Sequence, residues 1–596
     1  MFEKLLPATK MSASFIMGCR SVDTGKHMPN TDERMDKLVG VLRRRGVILP
    51  SFEIHGGAAG LYDYGAIGGR LRSRVNQAWL DHWFSLGNIV EISCPTVTPY
   101  PVLKASGHVG EFSDFMTICA ACEVSQRADS LLEGLHPNPD SLDKDSLDRE
   151  ISKHNPTCPD CGSSQWSPVV SQNLMFSTTI GSGNSGRQGF LRPETAQGMF
   201  TNFSSLYRHF RQRLPFGAVQ VGKGYRNEIS PRQGMIRLRE FNMAELEYFI
   251  DPNSIAEHDF SSWESIEMIL IPDGGGECKK SIPDALSAGM IRHSTVAFFM
   301  AQTFDFLIGI GIDSSRLRFR QHEKDEMAHY ATDCWDVEIH GSYGWIECVG
   351  IAHRGCYDLE AHEKSTGQRL RAWRPWENSI EIDKEILTID GATAGPAFRQ
   401  SAGLVKEALE ALDQIPNEFP IQLKLENGEV VNVDAEHVKK QRIQQTVNGE
   451  WFLPHVVEPA FGIDRIIWHV IDHAWDNIEK EGEEYSVMRL EQSISPIDVA
   501  ILPLFEKDGM KEIADLLNKT VCSTKGLFSY YDGSGSIGRR YARADEVGVP
   551  WCVTVDHQSL EDNSITIRNR DSQEQIRSGI EDFVSAIASG KVGDLF

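Results

Sequence analysis

Two stretches of this chain set arginines, carboxylates and an aromatic ring at spacings suited to gripping an anionic ligand. The first is Tyr225-Arg226-Asn227-Glu228, a loop through Pro231 and Gly234, then Arg237-Leu238-Arg239-Glu240-Phe241-Asn242-Met243-Ala244-Glu245. On an extended strand, alternate side chains share a face. Arg237, Phe241 and Glu245 then point the same way, and so do Arg226 and Glu228 on the strand before. Joined as a hairpin, the two strands present cations, a ring and carboxylates on one sheet surface. Burying that mixture requires ligands to pair it, because unpaired buried charge is costly. The alternative is a solvated charged hairpin, which leaves the repeat of ring and arginines with the pleat unexplained. The second stretch is Glu458-Pro459-Ala460-Phe461-Gly462-Ile463-Asp464-Arg465, ahead of an apolar helix from Ile466 to Ile471. Small residues at 460 and 462 let a ligand approach the backbone. Arg465 falls near a helix N-terminus, where anions are favoured.

A third group is Cys119-x2-Cys122 with Cys158-x2-Cys161. Thiolates at this spacing close a tetrahedral zinc site, and four of them leave no position open for chemistry, so the metal is expected to be structural. The 35 residues between the pairs exceed a usual zinc ribbon. Unpaired surface thiols, or a site that has lost its metal, are the competing readings. The other cysteines are scattered and read as small core hydrophobes, reduced because no export signal is evident.

Elements must position these groups. Leu71, Val75, Ala78, Trp79 and Trp83 recur at helical spacing, giving a helix over Arg70 to Leu86 that runs into a strand before Pro95. Residues 218 to 250 read as strand, polar loop, strand, and 318 to 351 as further strands. Trp451 to Asp476 reads as strand, glycine-containing turn and helix. The acidic, turn-rich stretch from Asp129 to Asn155 reads as an excursion within a cysteine-containing insertion at about 117–168. Insertions are also expected at 251–315 and 364–445. A composition break at Ser493 to Pro496 opens a separate α/β unit with buried strands at Val499–Leu502 and Trp551–Val555. The expected domains are an N-terminal extension (1–32, role unassigned, with Met11, Met17 or Met35 as alternative starts), a main body (33–492) and a C-terminal unit (493–596). Strands mixed with non-alternating helices predict an α+β antiparallel core. No GxxxxGK[ST] loop is present, which argues against a P-loop nucleotide site.

With 596 residues the chain is too long for one core. Its net charge of -24 excludes RNA binding by bulk attraction and leaves room only for a small positioned footprint. No apolar run approaches the roughly 18 to 20 residues of a membrane span, and the Phe15-Ile16-Met17 patch is too short for a signal peptide. A cytoplasmic protein with no membrane partner is expected.

The first stretch resembles motif 2 of class II aminoacyl-tRNA synthetases, the second motif 3, and the helix before Pro95 motif 1, which in that class builds the dimer interface. Further strings resemble the glycyl-tRNA synthetases of the archaeal and eukaryotic dimeric type: Gly60-Leu61-Tyr62-Asp63-Tyr64-Gly65, Ala105-Ser106-Gly107-His108-Val109, Leu191-Arg192-Pro193-Glu194-Thr195-Ala196-Gln197-Gly198, Glu326-Met327-Ala328-His329-Tyr330, Ser342-Tyr343-Gly344-Trp345-Ile346-Glu347 and Ser534-Gly535-Ser536-Ile537-Gly538-Arg539-Arg540-Tyr541. The likeness runs from about Glu33 to Gly590, weakly across 364–445.

The resemblance implies a class II antiparallel β-sheet catalytic core with helices, and a C-terminal α/β anticodon-binding domain. It implies a homodimer that joins glycine to tRNA(Gly) with ATP through a glycyl-adenylate. Arg226, Arg237 and Arg465 would be the catalytic cations, Arg226 on the α-phosphate and the reacting carboxylate, Arg237 on the terminal phosphate, and Arg465 on the other face of the adenine or near the γ-phosphate. Asn227, Glu228, Leu238, Phe241, Glu347 and Cys348 would complete the ATP site, with Glu228 on the adenine amino group, Phe241 stacked on the ring and Glu347 holding Mg2+. Arg127, Glu194, Glu245, Glu458, Pro459 and Ala460 would surround glycine. Ala460 stands where the family usually has serine, which puts the detail of glycine recognition in question. Arg539, Arg540 and Arg543 are candidate tRNA contacts, against the alternative of a turn held by structural ion pairs. Two other functions compete: a class II synthetase for another small amino acid, which the three glutamates argue against, and a non-catalytic RNA-binding relative, which retention of all three arginines argues against.

Overall fold

A computed structural model describes residues 31–231, 234–254, 258–323, 331–412, 415–480 and 482–596. The N-terminal extension up to residue 30 and the string Glu326 to Tyr330 lie outside the described residues. The main body is built on nine strands: β1 (Ile89–Glu91), β2 (Phe216–Tyr225), β3 (Glu240–Ile250), β4 (Met268–Ile271), β5 (Cys278–Lys280), β6 (Leu317–Gln321), β7 (Asp333–Gly341), β8 (Gly344–Gly355) and β9 (His455–Gly462). They form one sheet in the order β5-β4-β6-β7-β8-β9-β3-β2-β1. All neighbours are antiparallel except β1 with β2 and β4 with β6.

The back of this sheet is covered by α1 (Ala66–Phe84), α3 (Ser294–Gly309) and α5 (Ile463–Ala474); α2 is Ala196–Thr201 and α4 is Tyr357–Thr366. In α1, Leu71, Val75, Trp79 and Trp83 form one buried stripe at four-residue spacing. Trp79 and Trp83 meet Phe461 of β9 edge-on, with centroids 5.6 and 5.9 Å away, and Phe306 of α3 joins at 5.8 Å. Aromatic edges on faces add to their burial, so this cluster anchors the strand that carries Glu458 and Ala460. Helices α2 and α4 close over Phe216, Phe249 and Val456 in a second apolar cluster.

Within 251–315, β4 and β5 extend the main sheet and α3 fills its core. The segment 364–445 lies outside that sheet. A long two-stranded ribbon, Ala372–Ile389 with Val438–Phe452, leads to a small unit with its own core of Leu387, Val405, Leu409, Leu423, Leu425 and Val433. The cysteine-containing segment likewise has a small sheet (Ser113–Ile118, Ser125–Arg127, Val170–Asn173) and its own apolar cluster.

The C-terminal unit has strands β10 (Val499–Pro503), β11 (Ser529–Tyr531), β12 (Trp551–Val555), β13 (Ser564–Asn569) and β14 (Gln575–Gly579), ordered β11-β10-β12-β13-β14. The first three are parallel and the rest antiparallel. Helices α6 (Met510–Ser523), α7 (Ile537–Glu546) and α8 (Ile580–Ala588) pack on it. Among the described residues, no helix is long and apolar enough to cross a membrane.

Candidate active site

The front of the sheet holds a cleft of about 230 Å³ over β8, β9 and β3. Its register puts Glu245 opposite Ala460 and Ala460 opposite Gly350. Pleat alternation points Glu458 and Ala460 into the cleft and Pro459 away from it, and Pro459 is absent from the lining. The cleft gathers Arg226, Glu228, Arg237, Leu238, Phe241, Glu347, Cys348 and Arg465 at one end with Glu194, Glu245, Glu458 and Ala460 at the other.

The local structure of the first stretch differs from the expected flat hairpin. β2 stops at Tyr225 and β3 starts at Glu240. Arg226, Glu228 and Arg237 therefore lie on the loop between them, and only Phe241 and Glu245 share a strand face. The loop folds back over the sheet end: Arg226 donates its N–H to the Arg239 carbonyl and Asn227 its N–H to Leu174. The guanidinium of Arg226 sits 5.4 Å from the Phe241 ring centre and 5.3 Å from that of Phe112. Cation–π contact holds it there, while its Nε is buried without a hydrogen-bond partner. One oxygen of Glu228 is buried and unpartnered too, and burial raises that carboxyl. Arg465 is braced from below, donating to the carbonyls of Ile236 (3.1 Å) and Glu347 (2.7 Å).

At the other end the carboxylates differ in environment. Burial pushes Glu194 up, but His108 at 3.3 Å, Arg354 and the Gln197 amide outweigh it and hold the carboxyl well below its usual range. Glu245 receives the N–H (2.8 Å) and hydroxyl of Thr195. Even so, burial, with Glu458 and Glu194 nearby, pushes it up to about 8. Arg354 donates to Glu458 (2.8 Å) and grips Asp358 of α4 with two N–H groups (2.8 and 3.1 Å).

Arg354 and His108 were not singled out from the sequence as site residues. Arg354 reaches the cleft through an irregularity in the β8–β9 register between His353 and Gly355. Such bulges re-aim side chains, and nothing in the residue pattern marks this one. His108 stands within the string Ala105–Val109, and membership of that string is the signal the sequence offers for it.

Three expected residues fall elsewhere. Asn227 and Pro459 are outside the lining. Arg127 is also outside it; it is paired with Asp114 (3.0 Å) and Asp129 and lies within electrostatic reach of Glu228, not beside the glutamates of the opposite end. In the C-terminal unit, Arg540 is 4% exposed and donates to the carbonyls of Pro503, Gly533 and Gly535, so it supports the turn and is not a free tRNA contact. Arg543 is paired with Asp532 at 2.6 Å. Arg539 is exposed.

The four cysteines converge. Cys119 and Cys161 sulfurs are 3.6 Å apart, Cys122 and Cys158 3.7 Å, and all four lie within 4.8 Å of one another. A tetrahedron with bonds of about 2.3 Å has edges of about 3.8 Å, so the donor set fits zinc.

Residues 179–306 match the family model for the tRNA synthetase class II core domain (G, H, P, S and T), and residues 498–589 that for the anticodon binding domain. The glycine–tRNA ligase of Methanococcus maripaludis (strain C5) is 43% identical over 579 residues, spanning 93% of this chain and 99% of that one. That of Methanothrix thermoacetophila is 43% identical, spanning 91% and 95%, and that of Methanocaldococcus jannaschii 41% identical, spanning 92% and 97%. A Giardia lamblia prolyl-tRNA synthetase in complex with prolyl-adenylate is a remoter likeness, 12% identical with a TM-score of 0.48, covering 95% of this chain and 82% of that one. With over 40% identity along more than nine-tenths of its length, the chain belongs to the glycine–tRNA ligase family of class II aminoacyl-tRNA synthetases.

Proposed function

We propose that the cleft activates glycine with ATP as glycyl-adenylate and passes the glycyl group to tRNA(Gly), releasing AMP and pyrophosphate. The observation that carries this reading is one cleft with Arg226, Arg237 and Arg465 at one end and Glu194, Glu245 and Glu458 at the other. A phosphate chain needs the first set and an ammonium group the second. The carboxylate of the amino acid is already ionised, so its attack on the α-phosphorus needs no general base. Catalysis then rests on holding the reactants in line and stabilising phosphoryl charge.

In this reading Arg226 bridges the α-phosphate and the reacting carboxylate, with its unpaired Nε available to a ligand oxygen. Arg237 and Arg465 take the outer phosphates. Phe241 stacks on the adenine, and Glu228 accepts its amino group. Glu347 would help hold Mg2+, which needs only one or two protein carboxylates and would supply positive charge to the phosphate chain. Glu245 and Glu458 receive the ammonium, with Glu194 behind them. Zinc at the cysteine cluster would fix the fold of 117–168. The C-terminal unit would read the anticodon, with exposed Arg539 as its candidate phosphate contact. The protein is proposed to work as a cytoplasmic homodimer, and the small unit on the 364–445 ribbon has no assigned task.

ATP–pyrophosphate exchange with glycine and alanine side by side tests the reading. Exchange with glycine alone supports it and shows that Ala460 is tolerated. Equal exchange with alanine or serine would mark an altered pocket, and no exchange in folded, metal-replete protein would overturn it.

A further inference from the structure

Beneath the proposed ammonium site lies an acid that the mechanism does not use. Glu247 is two residues along β3 from Glu245, on the same face, and is 0% exposed. Its β2 partner is Ala218, and the next residue on its face is Phe249, so two of its sides are apolar. Neither of its carboxyl oxygens has a hydrogen-bond partner among the described residues. Its polar neighbours are Glu245 on β3, Glu458 on β9 and Arg354 on β8, and oxygens of the three glutamates lie within 4.8 Å of one another. Among the described residues the cation there is Arg354, and it is committed to Glu458 and Asp358.

Three ionised carboxylates at this spacing, one with no donor, would repel strongly in a dry interior. A single proton removes the conflict. Carried by Glu247, it makes the contact with Glu458 a hydrogen bond, and burial with the neighbouring Glu458 favours that form.

We propose that Glu247 is held as a neutral carboxylic acid that donates its proton to Glu458, and is thereby a positioning residue for the carboxylate that receives the ammonium group of the amino acid. Glu458 is then fixed from both sides, by Arg354 through one N–H and by Glu247 through one O–H. Its free lone pairs are aimed at the cleft. Protonating Glu247 also keeps a surplus negative charge from the pocket floor, so the ammonium site stays selective for one cation of defined position. The role in positioning rests on the function proposed above, whereas the protonation does not.

The test separates the two. Infrared difference spectra of folded, ligand-free wild type and Glu247→Gln are recorded at pH 7 and 9 in H2O and D2O. At pH 7 the neutral Glu245 adds a band of its own that the variant keeps; at pH 9, where Glu245 at about 8 is mostly ionised, a protonated-carboxyl stretch in the wild type, shifted by deuterium and missing in the variant, is expected. Its absence overturns the proposal whatever the enzyme does with glycine. In glycine-dependent exchange, Glu247→Gln keeps an N–H donor and should hold KM for glycine within about threefold, whereas Glu247→Met, of similar volume, should raise it about tenfold or more, as for a lost hydrogen bond to a charged group, with KM for ATP unchanged. A tenfold rise in Glu247→Gln would mean that the residue acts as an anion, and a Glu247→Met variant with wild-type KM would mean that it positions nothing; either result refutes the inference.

Discussion

Replacing Arg354 by methionine is the sharpest test of how the carboxylate end of the cleft is held together. The guanidinium is 3% exposed and makes three charge-assisted bonds of 2.8 to 3.1 Å to Glu458 and Asp358, which are themselves buried. Its guanidinium carbon also lies 5.4 Å from the centre of the Phe200 ring. Methionine keeps an unbranched apolar stem and removes the charge. Breaking a buried pair from one side costs about 3–5 kcal/mol, because the partners stay behind uncompensated. Here two carboxylates lose their partner, so the upper part of that range is expected. The assay is equilibrium urea unfolding followed through the buried tryptophans, alongside glycine-dependent exchange. Glycine KM should rise by about a hundredfold, since Glu458 loses the group that aims it. Adding Glu458→Gln to Arg354→Met should recover part of the stability, because one of the two stranded charges is gone, while glycine binding stays poor. An Arg354→Met protein within about 1 kcal/mol of wild type, or with normal glycine KM, would refute the reasoning.

Four further outcomes are expected. Glu245 is pushed up to about 8 in the free protein, and an incoming ammonium favours its ionised form, so glycine binding expels a proton. KM for glycine should therefore fall as pH rises from 7 to 8, by up to about tenfold per unit, and level off above 8; a flat profile through this range counts against the assignment. Arg226→Ala should lower adenylate formation by about a thousandfold or more with the fold intact, and normal exchange in that variant would remove its role. Purified protein should contain zinc that Cys158→Ser releases, and hydrogen exchange in the variant should quicken within 117–168 only; a metal-free wild type with the same protection would overturn the zinc site. Finally, burial holds His353 down at about 3 and His82, His258 and His469 at about 4, against 6.5 for the free side chain. The unfolded chain takes up those protons first, so the stability they contribute is full above pH 6.5 and is lost as pH falls from 6.5 towards 4. His322, raised to about 10 chiefly by its hydrogen bond to Asp336, acts in the opposite sense, losing its contribution between 6.5 and 10. A urea midpoint unchanged between pH 6.5 and 4.5 would contradict the histidine assignment.

What the residues alone determined was the chemistry and much of its carrier. Four-residue spacing of Leu71, Val75, Trp79 and Trp83 was enough for α1, because a helix turns once in 3.6 residues and one stripe must be buried. Phe241 and Glu245 could be placed on one face of a strand, and the CxxC pairs could be read as one donor set. The motif strings brought distant segments into a single expected site. Tertiary structure decided matters that depend on residues far apart in sequence. Arg226 and Arg237 carry no signal that separates a strand end from a loop, and it was the pairing of β2 with β3 that stopped short of them. Arg354 owes its direction to a mismatch between β8 and β9, which neither strand encodes by itself. Arg540 looked like its neighbour Arg539 until the turn closed around it and its donors met three carbonyls. Charge and residue type are local and legible in a sequence, whereas desolvation and hydrogen-bond partnership belong to the packed chain, and here they decide which cations serve a ligand and which serve the fold.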